Sequence, residues 1–298
     1  MTQIKILTLT GIAGLLLLIF STSCTKNPIT PPPVHDTITV LKHDTTITRD
    51  TIVGTQPDPT VNLSKGLLLY LPFTGNANDS SGNGNLTTAY GSILTGDAHG
   101  WANSAFGAKG DGSAELYVTN NGSIIFDTAI SISFGFMVND SNATQSFISM
   151  VNPNSGYGAS FNIGLTDPTT NYFCFGVGDV SGSCNMSVSN PVIDTTRFVP
   201  VPGSWYKCIC TYKRGAIQVY INGVLVGAKQ SQSTQALNCP DAQVVVGGWW
   251  NYSNNLNING KLDNIRMYNR VLTSHEIALL STYYQVTSNQ AKPGLQTH

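Results

Sequence analysis

Apolar and polar side chains alternate with a period of two in residues 205–226, WYKCICTYKRGAIQVYINGVLV. This spacing, with many β-branched and aromatic residues, is typical of β-strands. Gly215 and the pair Asn222-Gly223 interrupt the pattern, and both residue types accept the positive φ of tight turns. We therefore predict a meander of three strands, the last beginning at Val224. Its apolar face needs a second sheet to cover it, and this constrains the rest of the chain.

Short runs of strand-forming residues recur between polar turns from residue 63 to residue 284. The main predicted strands are 66–71, 114–118, 130–138, 145–150, 160–165, 172–177, 206–212, 217–221, 243–246 and 262–268. Apolar residues at the spacing of a helix occur only in residues 273–284, where we predict a short helix with Ser274 as its N-cap. The predicted fold class is all-β: a two-sheet antiparallel sandwich with one short C-terminal helix.

Three segments, in order along the chain, resemble the laminin-G-like, concanavalin A-like jelly-roll family. Residues 69–84, LYLPFTGNANDSSGNG, resemble its opening strand and loop. Residues 205–223 resemble its central hairpin, and 260–272, GKLDNIRMYNRVL, its closing strand before a short helix. The resemblance implies a jelly-roll domain over residues 63–284.

Charged residues make up 10% of the 298 residues, and the formal net charge is −1. Nucleic-acid binding needs a basic surface that neutralises phosphates. The composition therefore argues against a nucleic-acid partner.

Lys5 precedes an apolar run, residues 6–20, which is shorter than the about 20 residues of a membrane span. A basic residue, an apolar stretch and small residues after it are typical of a secretory signal peptide. The segment 21–24, Ser-Thr-Ser-Cys, resembles a bacterial lipobox, so residues 1–23 are a predicted lipoprotein signal peptide and Cys24 a predicted lipidation site. Acyl chains would then anchor the protein in the cell envelope of a Gram-negative bacterium, at the outer membrane. The alternative is an ordinary signal peptide, and the periplasmic or surface orientation stays open.

Residues 24–62 are predicted to be a tether, with prolines at both ends and Asp-Thr motifs at Asp36, Asp44 and Asp50. This composition favours an extended spacer over a core. The alternative is that the Thr-Ile alternation pairs as a strand with a partner. Residues 285–298 are a predicted C-terminal tail.

Five cysteines follow Cys24, and an exported chain can form disulfides. Cys174 and Cys184 flank a Gly-rich turn and are the predicted pair. Cys208 and Cys210 lie two apart on one strand and cannot easily bond to each other, so one of them could reach Cys239. The alternative is that all five are small core residues.

The chain has two glutamates, Glu115 and Glu276, in segments expected to be far apart. Retaining glycoside hydrolases of the family that the sequence resembles carry Glu-x-Asp-x-x-Glu on one strand, and this sequence has no Glu-x-Asp. Glycoside hydrolysis needs two carboxyl groups about 5 to 9 Å apart. We therefore predict that the protein is not an enzyme.

The family resemblance also implies a calcium ion, Ca²⁺, at the edge of the sandwich. Asn76, Asn78 and Asp79 in the first loop offer the oxygen ligands that Ca²⁺ prefers. Asp263 matches a family position that often faces this loop. The alternative is an Asx turn at Asp79 and a buried, hydrogen-bonded Asp263.

Aromatic side chains beside asparagine indicate a ligand surface, because flat rings stack on sugar rings while amides bond hydroxyls. The predicted ligand residues are Trp249, Trp250, Asn251, Tyr252, Tyr157 and Trp101. The alternative is that one of the two adjacent tryptophans plugs the core while its indole N–H finds a backbone partner.

These features predict a non-catalytic carbohydrate- or glycoprotein-binding module, held on a membrane only through its lipid anchor. Two alternatives stay open: a structural or adhesive domain that docks proteins, and a glycan hydrolase with an unrecognised site.

Overall fold

In a computed structural model of the chain, the described residues are 61–151, 159–166, 172–178, 192–230, 239, 242–249 and 256–282. They contain fifteen strands and one helix: β1 Leu67–Leu71, β2 Leu86–Tyr90, β3 Leu94–Thr95, β4 Ala105–Lys109, β5 Glu115–Thr119, β6 Ala129–Val138, β7 Gln145–Val151, β8 Ala159–Thr166, β9 Tyr172–Val177, β10 Val192–Thr195, β11 Trp205–Lys213, β12 Ala216–Ile221, β13 Val224–Gln230, β14 Gln243–Val246, β15 Asn259–Tyr268 and α1 Ser274–Ser281. The predicted features outside the described residues are the signal peptide, Cys24, nearly all of the tether, Tyr157, Cys184, Trp250, Asn251, Tyr252 and the C-terminal tail.

The strands form two antiparallel sheets. One sheet has the order β13-β12-β11-β6-β15-β4-β3, and β1 also pairs with β15. The other has the order β10-β9-β8-β7-β14-β5-β2. We call them the eight-stranded and the seven-stranded sheet. The main core lies between them and includes the buried rings of Phe106, Phe134, Phe136, Phe147 and Phe173. The predicted all-β sandwich with a short helix is confirmed.

The meander at residues 205–226 has the predicted turns. Arg214 and Gly215 join β11 to β12 with φ values of 47° and 88°, and Asn222 and Gly223 join β12 to β13 with 52° and 81°. Positive φ at both central residues matches the right-handed twist of hairpin strands. The sequence pattern missed β2, β3, β4 and β10. β2 is largely exposed and β3 has two residues, so neither has a buried face with a recognisable period.

Helix α1 begins at Ser274, and its N-cap is Thr273, not the predicted Ser274. The Glu276 N–H donates to Thr273 Oγ1 at 3.2 Å, and the Thr273 N–H donates to the Glu276 carboxylate at 2.8 Å. This reciprocal pair is a capping box, whose Thr-x-x-Glu spacing is visible in the sequence. Within the described part of the chain, no helix is long and apolar enough to cross a membrane.

Arg270 ties the start of the described chain to α1. Its guanidinium donates to both carboxylate oxygens of Glu276 at 2.7 Å, and to the carbonyl oxygens of Lys65 at 2.7 Å and Asn62 at 2.9 Å. A separate apolar cluster covers the outer face of the eight-stranded sheet here. Its members are Ile209, Tyr268, Leu272, Ile277 and Leu280, with Leu63, Leu67 and Tyr220 packed against them.

The predicted disulfide between Cys174 and Cys184 is wrong. Cys174, Cys208 and Cys210 carry thiols. Cys239 is disulfide-bonded. Because Cys208 and Cys210 carry thiols, a bond from either of them to Cys239 is also ruled out. Cys174 lies on the face of β9 opposite its neighbours Phe173 and Phe175, which point into the main core.

A lysine and an aspartate are buried on the outer face of the eight-stranded sheet. Lys207 of β11 and Asp263 of β15 both pair with Gly135 of β6, from opposite sides. Because Gly135 has no side chain, space is left between them. Lys207 is 1% exposed and Asp263 0%. Burial, together with the charge of Arg266, lowers the pKa of Lys207 to about 7, and the Asp263 carboxylate opposes part of this shift.

This buried pair predicts a specific dependence of stability on pH. The Lys207 pKa is about 7 in the folded state against an ordinary 10.5, so the unfolded chain binds more protons between these values. The free energy of unfolding should then rise with pH across this window and level off on either side. Urea unfolding would measure this against the Lys207→Met, Asp263→Asn double variant, which should lack the rise. Lys213→Met, an exposed control, should follow the parent. Parallel pH curves for the parent and the double variant would contradict the prediction.

Candidate functional site

The loop after β14 folds across the outer face of the seven-stranded sheet. The Ser149 hydroxyl lies within hydrogen-bonding distance of the carbonyl oxygens of Gly248, at 3.1 Å, and Trp249, at 2.9 Å. The Ser146 hydroxyl is also 3.1 Å from the Gly248 carbonyl. These contacts fix the backbone of the loop to β7, so the position of Trp249 is set by the sheet.

Side chains from four neighbouring strands form one row beneath this loop. Tyr117 of β5 pairs with Val245 of β14, Val245 with Ser149 of β7, and Ser149 with Asn162 of β8. Paired residues of antiparallel strands point to the same side of the sheet. Trp249 is half-buried and packs with Tyr117 on an apolar cluster that contains Val245 and is separate from the main core. We call the partly exposed Tyr117, Asn162 and Trp249, together with the buried Ser149 and Val245 that support them, the Trp249 face.

A buried carboxylate lies at the root of the loop. Glu115 is 0% exposed and accepts hydrogen bonds from the Tyr117 hydroxyl and from Asn257 Nδ2. Asn257 Nδ2 also donates to the Gly247 carbonyl at 3.3 Å. A Cβ on Gly248 would lie 2.4 Å from Glu115 Oε1, so the close approach requires glycine. Sequence reasoning missed this network, although two adjacent glycines beside the aromatic run were a signal for it.

The predicted ligand residues within the described chain do not form one surface. Trp249 lies on the Trp249 face and is not a plug of the main core. Trp101 lies in the loop between β3 and β4 of the eight-stranded sheet, where its backbone N–H donates to Asp97 Oδ1 at 2.9 Å. Its ring stacks on His99, with centroids 4.9 Å apart.

Asp79, the central residue of the predicted calcium site, is saturated by hydrogen bonds from the protein. Its Oδ1 accepts from the N–H groups of Tyr70 at 3.0 Å and Ser81 at 2.9 Å. Its Oδ2 accepts from the Ser81 hydroxyl at 2.8 Å and from Asn85, by Nδ2 at 2.8 Å and by N–H at 3.3 Å. Five donors occupy the oxygens that a cation would need.

The other predicted ligands do not complete a calcium site. Asn76 Oδ1 accepts the N–H of Asn78 at 2.9 Å, and Asp263 lies beside the Lys207 ammonium. No group of three or more His, Cys, Asp and Glu side chains that could hold a metal occurs among the described residues. The arrangement does not fit Ca²⁺, and it does fit the hydrogen-bonded alternative at Asp79.

A protein family model supports the sequence resemblance. Laminin_G_3, described as the concanavalin A-like lectin/glucanases superfamily, matches residues 111–278. The chain belongs to this superfamily. The predicted concanavalin A-like jelly roll is thereby confirmed. No curated protein matches the chain.

Solved structures with a similar fold include neurotoxin binding domains and a domain of a glycoside hydrolase. The receptor-binding domain of botulinum neurotoxin mosaic serotype C/D has a TM-score of 0.57 at 15% identity, over 74% of this chain and 51% of that one. A type C neurotoxin structure, described as interacting with two ganglioside molecules, has a TM-score of 0.55 at 18% identity. The match covers 74% of this chain and 52% of that one. Domain 4 of the arabinanase AbnA from Geobacillus stearothermophilus, in complex with arabinotriose, has a TM-score of 0.52 at 18% identity. The match covers 72% of this chain and 98% of that one. This chain thus spans about half of either neurotoxin structure, and at these identities the likeness shows the fold.

We expect Ca²⁺ to leave the thermal stability of the domain unchanged. A ligand that binds only the folded state at 100 times its Kd would add about 2.7 kcal/mol, which is easily seen as a shift in melting temperature. The comparison is the melting temperature in excess Ca²⁺ and in excess chelator. Asp79→Asn should lower both values equally, because it weakens hydrogen bonds and not a metal site. A melting temperature that rises with Ca²⁺ in the parent, but not in Asp263→Ala, would contradict this expectation and support the calcium site.

Proposed function

We propose that the domain is a non-catalytic carbohydrate- or glycoprotein-binding module and that its ligand surface is the Trp249 face. The observation that carries this proposal is the placement of Trp249. Its backbone is held by Ser149 and one part of its ring packs on the sheet, while the half-buried side chain keeps accessible surface. A fixed aromatic ring binds at a low entropy cost, because it has little freedom left to lose.

The rest of the Trp249 face offers polar groups that suit a sugar. Asn162 Oδ1 lies 2.7 Å from the Ser146 hydroxyl, which leaves the amide N–H groups of Asn162 for ligand hydroxyls. Sugars present hydroxyls around an apolar ring face, so a flat ring beside an amide matches both parts. Known neighbours of this fold support the same class of ligand, since one is described with gangliosides and another with arabinotriose.

The two glutamates support binding over hydrolysis. Glu115 accepts hydrogen bonds from Tyr117 and Asn257 beneath the loop that crosses the seven-stranded sheet. Glu276 accepts hydrogen bonds from Arg270 and from the N-cap residue of α1, which packs on the eight-stranded sheet. A pair on different sheets is a poor match to the about 5 to 9 Å separation that glycoside hydrolysis requires.

We further propose that a lipid on Cys24 displays this module on the outer membrane of a Gram-negative cell. The basis is the lipobox-like segment that ends at Cys24 after an apolar run. Buried acyl methylenes contribute about 0.8 kcal/mol each to anchoring, and the proline-rich tether would set the distance from the membrane.

Replacing Trp249 by Ala should weaken glycan binding by about 1 to 3 kcal/mol, because apolar contact with a sugar face is lost. A glycan array would first identify neutral glycans that the parent binds, and calorimetric titration would then give affinities. Trp101→Ala is the matched control on the other sheet and should bind these glycans like the parent. A parent that binds nothing on the array, or a Trp249→Ala variant with parental affinity, would refute the proposal. Melting temperatures of both variants would check that they are folded.

Substituting Cys24→Ala should move the protein from the membrane fraction to the soluble fraction, because it removes the acylated sulfur. Fractionation of expressing cells, with immunoblotting of both fractions, measures the partition. Cys174→Ala, which removes a thiol within the domain, is the control and should stay with the membrane. Equal membrane partition of the parent and Cys24→Ala would exclude the lipid anchor.

A further inference from the structure

A cleft of about 480 Å³ opens where β3, β4 and β15 of the eight-stranded sheet meet the turn before β5. We call it the β3–β4 cleft. Its polar lining consists of Ser92, Thr95, Lys109, Ser113, Asn139 and Lys261. A volume of this order is within the range of small-molecule sites and accommodates one or two sugar rings.

The two lysines give the β3–β4 cleft a positive charge that no lining carboxylate cancels. Among the described residues, neither Asp nor Glu lines it. Asp111 follows Lys109 closely, and its carboxylate accepts the N–H of Ser113 at 3.0 Å and also the Ser113 hydroxyl. This carboxylate also interacts with the Lys109 charge and offsets part of it, so Lys261 is the main cationic group of the cleft. In a chain with only 10% charged residues, two ammonium groups at one cleft are a marked local excess.

Lys261 is held in position before any ligand arrives. Its Nζ donates to the carbonyl oxygen of Gly96 at 3.0 Å. An ammonium has three N–H donors, so two remain for a ligand. Because the side chain is already ordered and half-buried, binding through it costs less side-chain entropy than binding through a mobile lysine.

We propose that the β3–β4 cleft binds an acidic saccharide through its carboxylate, as in a uronic acid residue. Hydrogen bonds between ammonium and carboxylate are charge-assisted and stronger than neutral ones. The hydroxyls of Ser92 and Thr95 then match the ring hydroxyls. The Ser113 hydroxyl donates to Asp111 and Asn139 Nδ2 donates to Asn259, so Ser113 Oγ and Asn139 Oδ1 contribute as acceptors. This site lies on the other sheet from the Trp249 face and goes beyond the proposed function, because binding of neutral glycans at Trp249 does not require it.

Trigalacturonate and its methyl ester are the probes, because they share their rings and differ in charge. Calorimetric titration of the full chain should give roughly tenfold tighter binding of the acid, and added salt should reduce this difference. Lys261→Gln should weaken trigalacturonate binding roughly tenfold and leave ester binding unchanged. Lys261→Arg should retain most of the affinity, because it keeps the charge.

Controls separate this proposal from the Trp249 face. Lys213→Gln removes an exposed lysine of β11, near the other edge of the same sheet, and should bind trigalacturonate like the parent. Trp249→Ala should keep acid binding while losing neutral glycans. Equal affinity of the parent for the acid and the ester overturns the proposal. It is also overturned if Lys213→Gln loses as much trigalacturonate affinity as Lys261→Gln does. If Lys261→Gln fails to fold, Lys109→Gln replaces it, and unchanged acid binding there also overturns the proposal.

Discussion

Strand β15 determines the architecture because its two edges serve three partners. One edge pairs with β6, while the other pairs with β4 over residues 259–262 and with β1 over residues 265–268. The change of partner falls at Asn264, whose backbone is left-handed with φ 51°. Since buried backbone groups must be paired, the place of the first strand depends on this local conformation. The loop after β1, which contains Asp79, and the helix after β15 are therefore positioned by the same strand.

The two outer faces of the sandwich are covered by different elements. On the eight-stranded sheet, α1 and the residues before β1 pack on an apolar cluster, and Lys207 and Asp263 are buried on the same face. On the seven-stranded sheet, the described chain contributes a loop with Trp249, held by two serine hydroxyls and rooted on Glu115. An apolar face covered by a helix is stabilising, whereas a half-buried ring on a fixed loop keeps surface for a ligand. This asymmetry is why we place neutral-glycan recognition on the seven-stranded sheet.

The sequence predicts much of the fold because strand period and turn chemistry are local properties. The hairpins at Arg214-Gly215 and Asn222-Gly223 follow from them directly. Long-range pairing is not local, so nothing in the sequence placed Lys207 and Asp263 on either side of Gly135, or Glu115 beneath Gly248. The same limit explains the wrong disulfide, since the spacing of two cysteines along the chain does not show which cysteines meet in space. The sequence singles out Trp249 as a candidate ligand residue from its neighbours, but it does not show the contact of its backbone with Ser149.

Two glycines determine how recognition on this domain could change. A Cβ on Gly247 would lie 2.3 Å from the Phe106 ring, and one on Gly248 would lie 2.4 Å from Glu115 Oε1. The loop root therefore fits between the main core on one side and a buried carboxylate on the other. New specificities should arise by exchanging side chains such as Asn162 and Trp249 while both glycines are retained. For protein engineering, the positions to be exchanged lie next to the two glycines that hold the loop, yet they can be changed without replacing either glycine.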